Sequence, residues 1–377
     1  MYKYLVTLLL AITSFTGSFA QTAKEWYDKG ISLKVDENFK DAITAFKNAA
    51  ALKSDYADAL HQLGFCYNEL DSFSDAIDVL VKESNVGPTD MAANSFELGY
   101  AYSGSGNYAL ALTNLNKAIE IDANYDHAYK ERGHVNFKLN RYDKALDDFN
   151  KYEVLTKDDN DDADYYYEKG WTEDAQKKYA DAVKSLKSAV ALDDKFTNAF
   201  TELGYAEYKL NLNDDAIQHY RAASLLDKND FHPLLGIADT YFENVKNFDS
   251  AIVYYEKGTQ LQKQNKIAYY RLGWCYDDKD RFADAIAPLQ SSLSIDPNYP
   301  EAIKELGYVY YKLKRYDDAL AKFEPIMTQN SSDELSRYYA GFCYYLKGEQ
   351  DKLKQMITEL TALNSTRYVQ TLTKYIK

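Results

Sequence analysis

The chain has 377 residues, a formal net charge of −14 and 46% hydrophobic residues. Its acidic excess argues against nucleic acid and anionic membrane surfaces as partners. With 15% aromatic residues, 36 of them tyrosine, it is too rich in rings for a disordered chain.

Residues 1–20 stand apart from the rest of the chain. Lys3 gives a positive start, Leu5 to Ile12 form a short apolar run, and Ser18-Phe19-Ala20 reads as a small-x-small cleavage site before Gln21. The pattern predicts a secretory signal peptide over 1–20. The run is too short, and too interrupted by Thr and Ser, to span a bilayer. No cysteine follows it, which argues against a lipoprotein anchor, and no later segment is a candidate transmembrane span. The expectation is export, to a bacterial periplasm or otherwise into the medium. Loss of Lys3 makes the remaining chain one unit more negative.

From residue 23 onward the chain rewrites one 34-residue unit, clearest at 266–299. Counting Lys266 as position 1, Tyr269, Leu272, Gly273 and Tyr276 fall at helical spacing at positions 4, 7, 8 and 11. After a polar break comes a second amphipathic run, with Phe282, Ala285 and Leu289 at positions 17, 20 and 24, and Pro297 at position 32. The same register starts at 23, 57, 92, 126, 163, 197, 231, 266, 300 and 334. Met91 is a single insertion, 160–162 are a spacer, and the seventh unit carries one extra residue, expected in its turn. The tenth loses the pattern, with Leu353 where alanine is expected. A last helix over roughly 366–376 places Tyr368, Val369, Leu372 and Ile376 on one side.

These offsets resemble the tetratricopeptide repeat, a helix–turn–helix unit with Leu-Gly, Tyr, Ala, Phe and Pro at the same places. The resemblance implies an all-α fold, a right-handed α-solenoid of about ten hairpins over 21–364 with a C-terminal capping helix over 365–377. One such hairpin cannot bury its own apolar face, so the unit makes sense only in an array.

No active site is visible. His61, His127, His134, His219 and His232 are scattered, and there is no nucleophile motif or glycine-rich phosphate loop. No cofactor and no metal are expected, and the reading is non-enzymatic. Cys66, Cys275 and Cys343 each occupy position 10, where four other units hold Ala101, Val135, Ala206 and Val309. They read as buried free thiols, because units two apart are beyond disulfide reach. The run Asp158–Asp164 lacks the glycine and distal glutamate of a calcium loop and reads as a solvated turn with helix caps.

Position 9, which in the family faces the concave groove, reads Ile31, Phe65, Tyr100, His134, Trp171, Tyr205, Asp239, Trp274, Tyr308 and Phe342. Seven of these ten are aromatic. Two readings are open: the rings pack against the next unit, or they form a ladder that holds an extended ligand by stacking and hydroxyl bonding. On the second, the candidate ligand-binding residues are Phe65, Tyr100, His134, Trp171, Tyr205, Trp274, Tyr308 and Phe342, with Tyr27, Phe96, Tyr167, Tyr208, Tyr270, Tyr311, Tyr338 and Tyr345 nearby at positions 5 and 12. The family's carboxylate clamp is absent: Lys130 and Lys304 hold its first position, but His134 and Tyr308 stand where asparagine is required. Acidic residues recur at position 6 (Asp28, Glu97, Glu131, Glu168, Glu202, Glu305), which favours a basic or neutral partner. The expected function is a monomeric scaffold binding a peptide or partner protein; the alternative is a glycan strand in the same groove.

Overall fold

The computed structural model describes residues 21–157 and 162–376. The predicted signal peptide and Asp158–Asp161 lie outside the described residues. Among those described there is no strand, and the chain divides between Asp161 and Asp162 into two compact units, at the spacer seen in the sequence.

The first unit holds four hairpins: α1 (Ala23–Val35) with α2 (Phe39–Leu52), α3 (Ala57–Asn68) with α4 (Phe73–Val86), α5 (Met91–Gly104) with α6 (Tyr108–Ile121), and α7 (Asp126–Lys138) with α8 (Tyr142–Thr156). The second begins with α9 (Ala163–Ala175) and α10 (Tyr179–Leu192), then α11 (Thr197–Lys209) and α12 (Asn213–Leu226). It continues with α13 (His232–Asp239) and α14 (Phe248–Leu261), α15 (Lys266–Asp278) and α16 (Phe282–Ile295), and α17 (Pro300–Lys312) and α18 (Tyr316–Gln329). It closes with α19 (Glu334–Lys347), α20 (Gln350–Ala362) and α21 (Thr366–Thr373). Each unit is thus an all-α solenoid of stacked hairpins.

Each hairpin turns through one left-handed residue at the same place: Glu37, Asp71, Gly106, Asn140, Lys177, Asn211, Lys246, Asp280, Lys314 and Gly348. Their φ values run from 54° to 81°. Two are glycine and four are Asn or Asp, which tolerate this region; at Glu37, Lys177, Lys246 and Lys314 the packing of the flanking helices imposes it.

The core repeats with the period of the sequence. Ala42, Ala76, Ala111, Ala145, Ala182, Ala216, Ala251, Ala285 and Ala319 are all fully buried. At Gly273 an added Cβ would come within 2.5 Å of Leu289 Cγ and 3.3 Å of the Ala285 carbonyl oxygen. That close approach of α15 to α16 is what the Leu-Gly signature encodes. Hairpins are tied together by the tyrosine at position 11: Tyr344 donates to Glu324 at 2.7 Å, Tyr276 donates to Glu256, and Tyr310 accepts from Gln290 at 3.2 Å.

Two expectations are corrected. The extra residue of the seventh unit is not in the turn. It is absorbed in a π-helical stretch, Thr240–Val245, that continues α13. The stretch is held by the preceding hairpin, where Asn244 Nδ2 donates to the Tyr208 carbonyl (3.1 Å) and Tyr208 donates to Glu243. The final helix also stops earlier than expected, at Thr373. Leu372 is fully buried, but Ile376 is exposed and Tyr375 packs instead on Phe342 and Tyr345.

The Gly273–Leu289 contact gives a test. Leu289→Ala is expected to cost about 2–5 kcal/mol and Gly273→Ala about 1–3 kcal/mol by overpacking. The double variant should cost less than their sum, because removing Leu289 opens the space the new methyl needs. Hydrogen exchange of α15 and α16 amides reads this locally, as repeat arrays need not unfold in one step.

Candidate functional site

The first helix of each hairpin carries positions 5, 6, 9 and 12. The position 9 rings satisfy parts of both readings. Tyr100 and Tyr205 are 36% exposed, while Phe65, His134, Trp171, Trp274, Tyr308 and Phe342 are half-buried. Where they are held, an edge rests on position 17 of the preceding hairpin. Phe65 meets Phe39 at 6.4 Å, Tyr100 meets Phe73 at 6.3 Å, and Trp274 meets Phe248 at 5.0 Å and Phe242 at 5.2 Å. In these three, one part of the ring anchors the stack and the rest remains at the surface.

The position 5 rings behave differently. Tyr27, Phe96, Tyr167 and Tyr270 pack on the last residue of their own unit, Tyr56, Tyr125, Phe196 and Tyr299, at 4.9–5.6 Å. Burial pushes the Tyr167 and Tyr270 hydroxyls up to about 12. They belong to the frame more than to the row.

A pairing the sequence reading missed runs between hairpins. Position 12 of one meets position 6 of the next. Lys34 Nζ donates to Gln62 Oε1 at 2.6 Å, and Asn68 Nδ2 donates to Glu97 Oε2 at 2.7 Å. The Arg271 guanidinium lies 5.4 Å from the centre of the Phe242 ring, and the Tyr311 and Tyr339 rings are 5.5 Å apart. At two junctions both partners are carboxyls: Asp174 with Glu202, and Asp277 with Glu305.

Those two junctions share one constellation, three units apart. The first is Trp171, Asp174, Glu202 and Tyr205; the second is Trp274, Asp277, Glu305 and Tyr308. Glu-Leu-Gly-Tyr stands at 202–205 and 305–308, one unit after Trp-x-x-Asp at 171–174 and 274–277. It also stands at 97–100, where the upstream residues are Phe65 and Asn68. This recurrence is the signal that could have revealed the junctions.

Burial and the neighbouring Asp174 charge raise Glu202 to about 7, opposed by the Trp171 indole, which donates to it. Burial, then the Asp277 charge, raise Glu305 to about 8, and burial raises Asp277 to about 6. Glu305 therefore keeps its proton and donates a hydrogen bond through it to Asp277. Of the six position 6 acids, Asp28 is exposed and Glu131 half-buried, Glu97 and Glu168 are buried, and Glu202 and Glu305 keep protons to about 7 and 8. Beside the second junction is a cavity of about 190 Å³ lined by Trp274, Asp277, Lys304, Glu305, Tyr308, Phe323, Leu335, Ser336 and Tyr339. Between the junctions, Asp239 replaces the aromatic residue. It binds Arg271 at 2.6 Å and accepts from Tyr255 at 2.5 Å, while Arg271 also pairs with Glu243.

The cysteines are free and buried, and burial pushes Cys66 up to about 11 and Cys275 and Cys343 to about 12. None is a poised nucleophile. Among the described residues no group of three or more His, Cys, Asp or Glu could hold a metal, and no helix is long and apolar enough to cross a membrane.

Stacked helical hairpins with an aromatic row on their first helices define a solenoid of the repeat-scaffold class. A family model for the tetratricopeptide repeat matches residues 96–163 and 167–230, and the model for anaphase-promoting complex, cyclosome, subunit 3 matches 244–326. The chain is a tetratricopeptide-repeat protein. It is 19% identical over 333 residues to anaphase-promoting complex subunit 3 of Schizosaccharomyces pombe, covering 79% of this chain and 44% of that one. It is 21% identical to DnaJ homolog subfamily C member 3 of Rattus norvegicus, covering 62% and 58%. The chain thus spans about half the length of these relatives. Among solved structures it is similar to YrrB, a TPR protein with an unusual peptide-binding site (22% identity, TM-score 0.43, 50% of this chain and 95% of that one). It is also similar to the C-terminal part of a TPR repeat-containing protein from Cytophaga hutchinsonii (17%, TM-score 0.48, 65% and 99%).

The carboxyl pairs make stability depend on pH in a defined direction. In the unfolded chain these groups ionise at about 4, whereas the folded chain keeps protons on Glu202 and Glu305 to about 7 and 8. Their contribution is full below the unfolded value and is lost as pH rises through the folded ones. Melting temperatures at pH 5, 7 and 9 should fall more steeply for the parent chain than for Glu202→Gln/Glu305→Gln. Parallel curves would show that these groups do not titrate with folding.

Proposed function

We propose that the chain is an exported, non-enzymatic scaffold that holds an extended segment of a partner protein along its position 9 row. The observation that carries this reading is the split burial of the rings. An anchored ring with one free part offers a stiff stacking surface at little cost in conformational entropy. Such a row suits an extended chain, whose side chains alternate between contact and solvent. Two relatives are named as a complex subunit and as a DnaJ homolog; for this chain they support only the general reading of work done together with other proteins. Export rests on the composition of residues 1–20, and the periplasm of a bacterium is the compartment proposed.

Two experiments test this. N-terminal sequencing of the exported protein should begin at Gln21; retention of Met1 in a cytoplasmic fraction overturns export. A pull-down from an envelope extract should retain a protein on the parent chain and lose it on a folded Trp171→Ala/Tyr205→Ala/Trp274→Ala variant. Equal retention by both overturns the row as the binding surface. A tryptophan fluorescence response to purified cell-wall fragments, with none to peptides, would replace the peptide by a glycan.

A further inference from the structure

From the duplicated junctions we infer that Trp274–Asp277–Glu305–Tyr308 and the related set Trp171–Asp174–Glu202–Tyr205 are subsites for arginine side chains of the extended partner. The inference rests on the peptide reading above and adds the chemistry of what is recognised.

The second subsite shows the geometry. Its cavity, about 190 Å³, is below the ~300 Å³ at which small-molecule sites begin and suits a single side chain. Trp274, Tyr308 and Tyr339 supply ring walls, and Asp277 and Glu305 supply carboxyls. Asp277 Oδ1 and Glu305 Oε1 are out of solvent and lack a hydrogen-bond partner. Ser336 is fully buried and lines the same cavity, and its Oγ also lacks a partner; what Asp333 accepts is the Ser336 backbone N–H, at 3.0 Å. Unsatisfied acceptors beside aromatic faces fit a planar cation that stacks and donates several N–H bonds at once.

The charges around the site agree. Lys304 is already paired with Asp333 at 3.3 Å. Lys312, over the Tyr308 ring at 5.6 Å, offsets one carboxylate, and Asp278 and Asp280 add negative charge from the end of α15. The proton on Glu305 stands where the guanidinium charge would go. A bound arginine therefore releases that proton, and binding should tighten as pH rises. The first junction repeats the Trp, Asp, Glu and Tyr, with Lys209 over Tyr205 at 5.1 Å in the place of Lys312, while Pro233 and Gly236 stand where the second has Ser336 and Tyr339. The related junction in the first unit is an internal control. There the Asn68 amide donates to Glu97, so the junction has one carboxyl fewer.

The probe is N-acetylarginine amide, with the neutral isostere N-acetylcitrulline amide beside it, followed by the fluorescence of Trp171 and Trp274. The arginine probe should bind about tenfold or more tighter than citrulline, and tighter at pH 9 than at pH 6. Asp174→Asn/Asp277→Asn, which installs the pair already present at Asn68–Glu97, should lose that preference while keeping its helical circular dichroism. If that variant does not fold, Glu202→Gln/Glu305→Gln should bind without the pH dependence. Equal binding of arginine and citrulline, or an unchanged arginine preference in the asparagine variant, overturns the inference. A lysine probe binding as tightly as arginine overturns the assignment to arginine. Failure here is separable from failure of the peptide reading. If the tryptophan-to-alanine variant loses the partner and the asparagine variant keeps it, the row stands and the arginine subsites fall.

Discussion

Everything in this molecule depends on a hairpin that cannot bury its own apolar surface. Two helices joined by a short turn leave side chains on both flanks, and only another hairpin can cover them. The Gly273–Leu289 approach sets how closely two helices of one unit lie, and the tyrosines at position 11 set how one unit meets the next. Because the same contacts recur, the surfaces they leave uncovered recur as well. A row of half-exposed rings is a by-product of the packing before it is a binding surface.

That origin explains why the two readings of position 9 are not exclusive. Phe65, Tyr100 and Trp274 rest on rings of the preceding hairpin, which fixes their orientation, and their remaining surface is available. Rigidity of this kind reduces what a ligand must order on binding. The junction between positions 12 and 6 lies beside the row and varies in chemistry from unit to unit. The frame is uniform while the junctions differ, so specificity can change at one junction with little effect on the stack.

Much of the fold was legible in the sequence because small and large residues alternate at fixed offsets for a steric reason. The alanine near position 20 and the glycine at position 8 are demands of helix approach, and each survives in nine of the ten units, with leucine before the glycine in five. The extra residue of the seventh unit was misplaced because sequence counts length and cannot see phase: Glu243 and Asn244 bond to the preceding hairpin, so the surplus stays inside the helix. The end of the last helix was placed too late because Tyr375, beyond its end, packs on Phe342. At the site, the aromatic row was visible from helical spacing. The carboxyl pairs were not, since Asp277 and Glu305 belong to different units and each looks like a solvated surface acid when read alone.

The π-helical stretch at Thr240–Val245 carries a further meaning for the whole second unit. An added residue in a helix ordinarily rotates everything after it by about 100°. Here the wider turn takes up the surplus, and the left-handed Lys246 then starts α14 in the usual register. The array thus resets its reading frame at every turn, much as a punctuated code confines an error to one word. Trp171 and Trp274 lie on opposite sides of the inserted residue in sequence, yet each occupies the same place in its own hairpin.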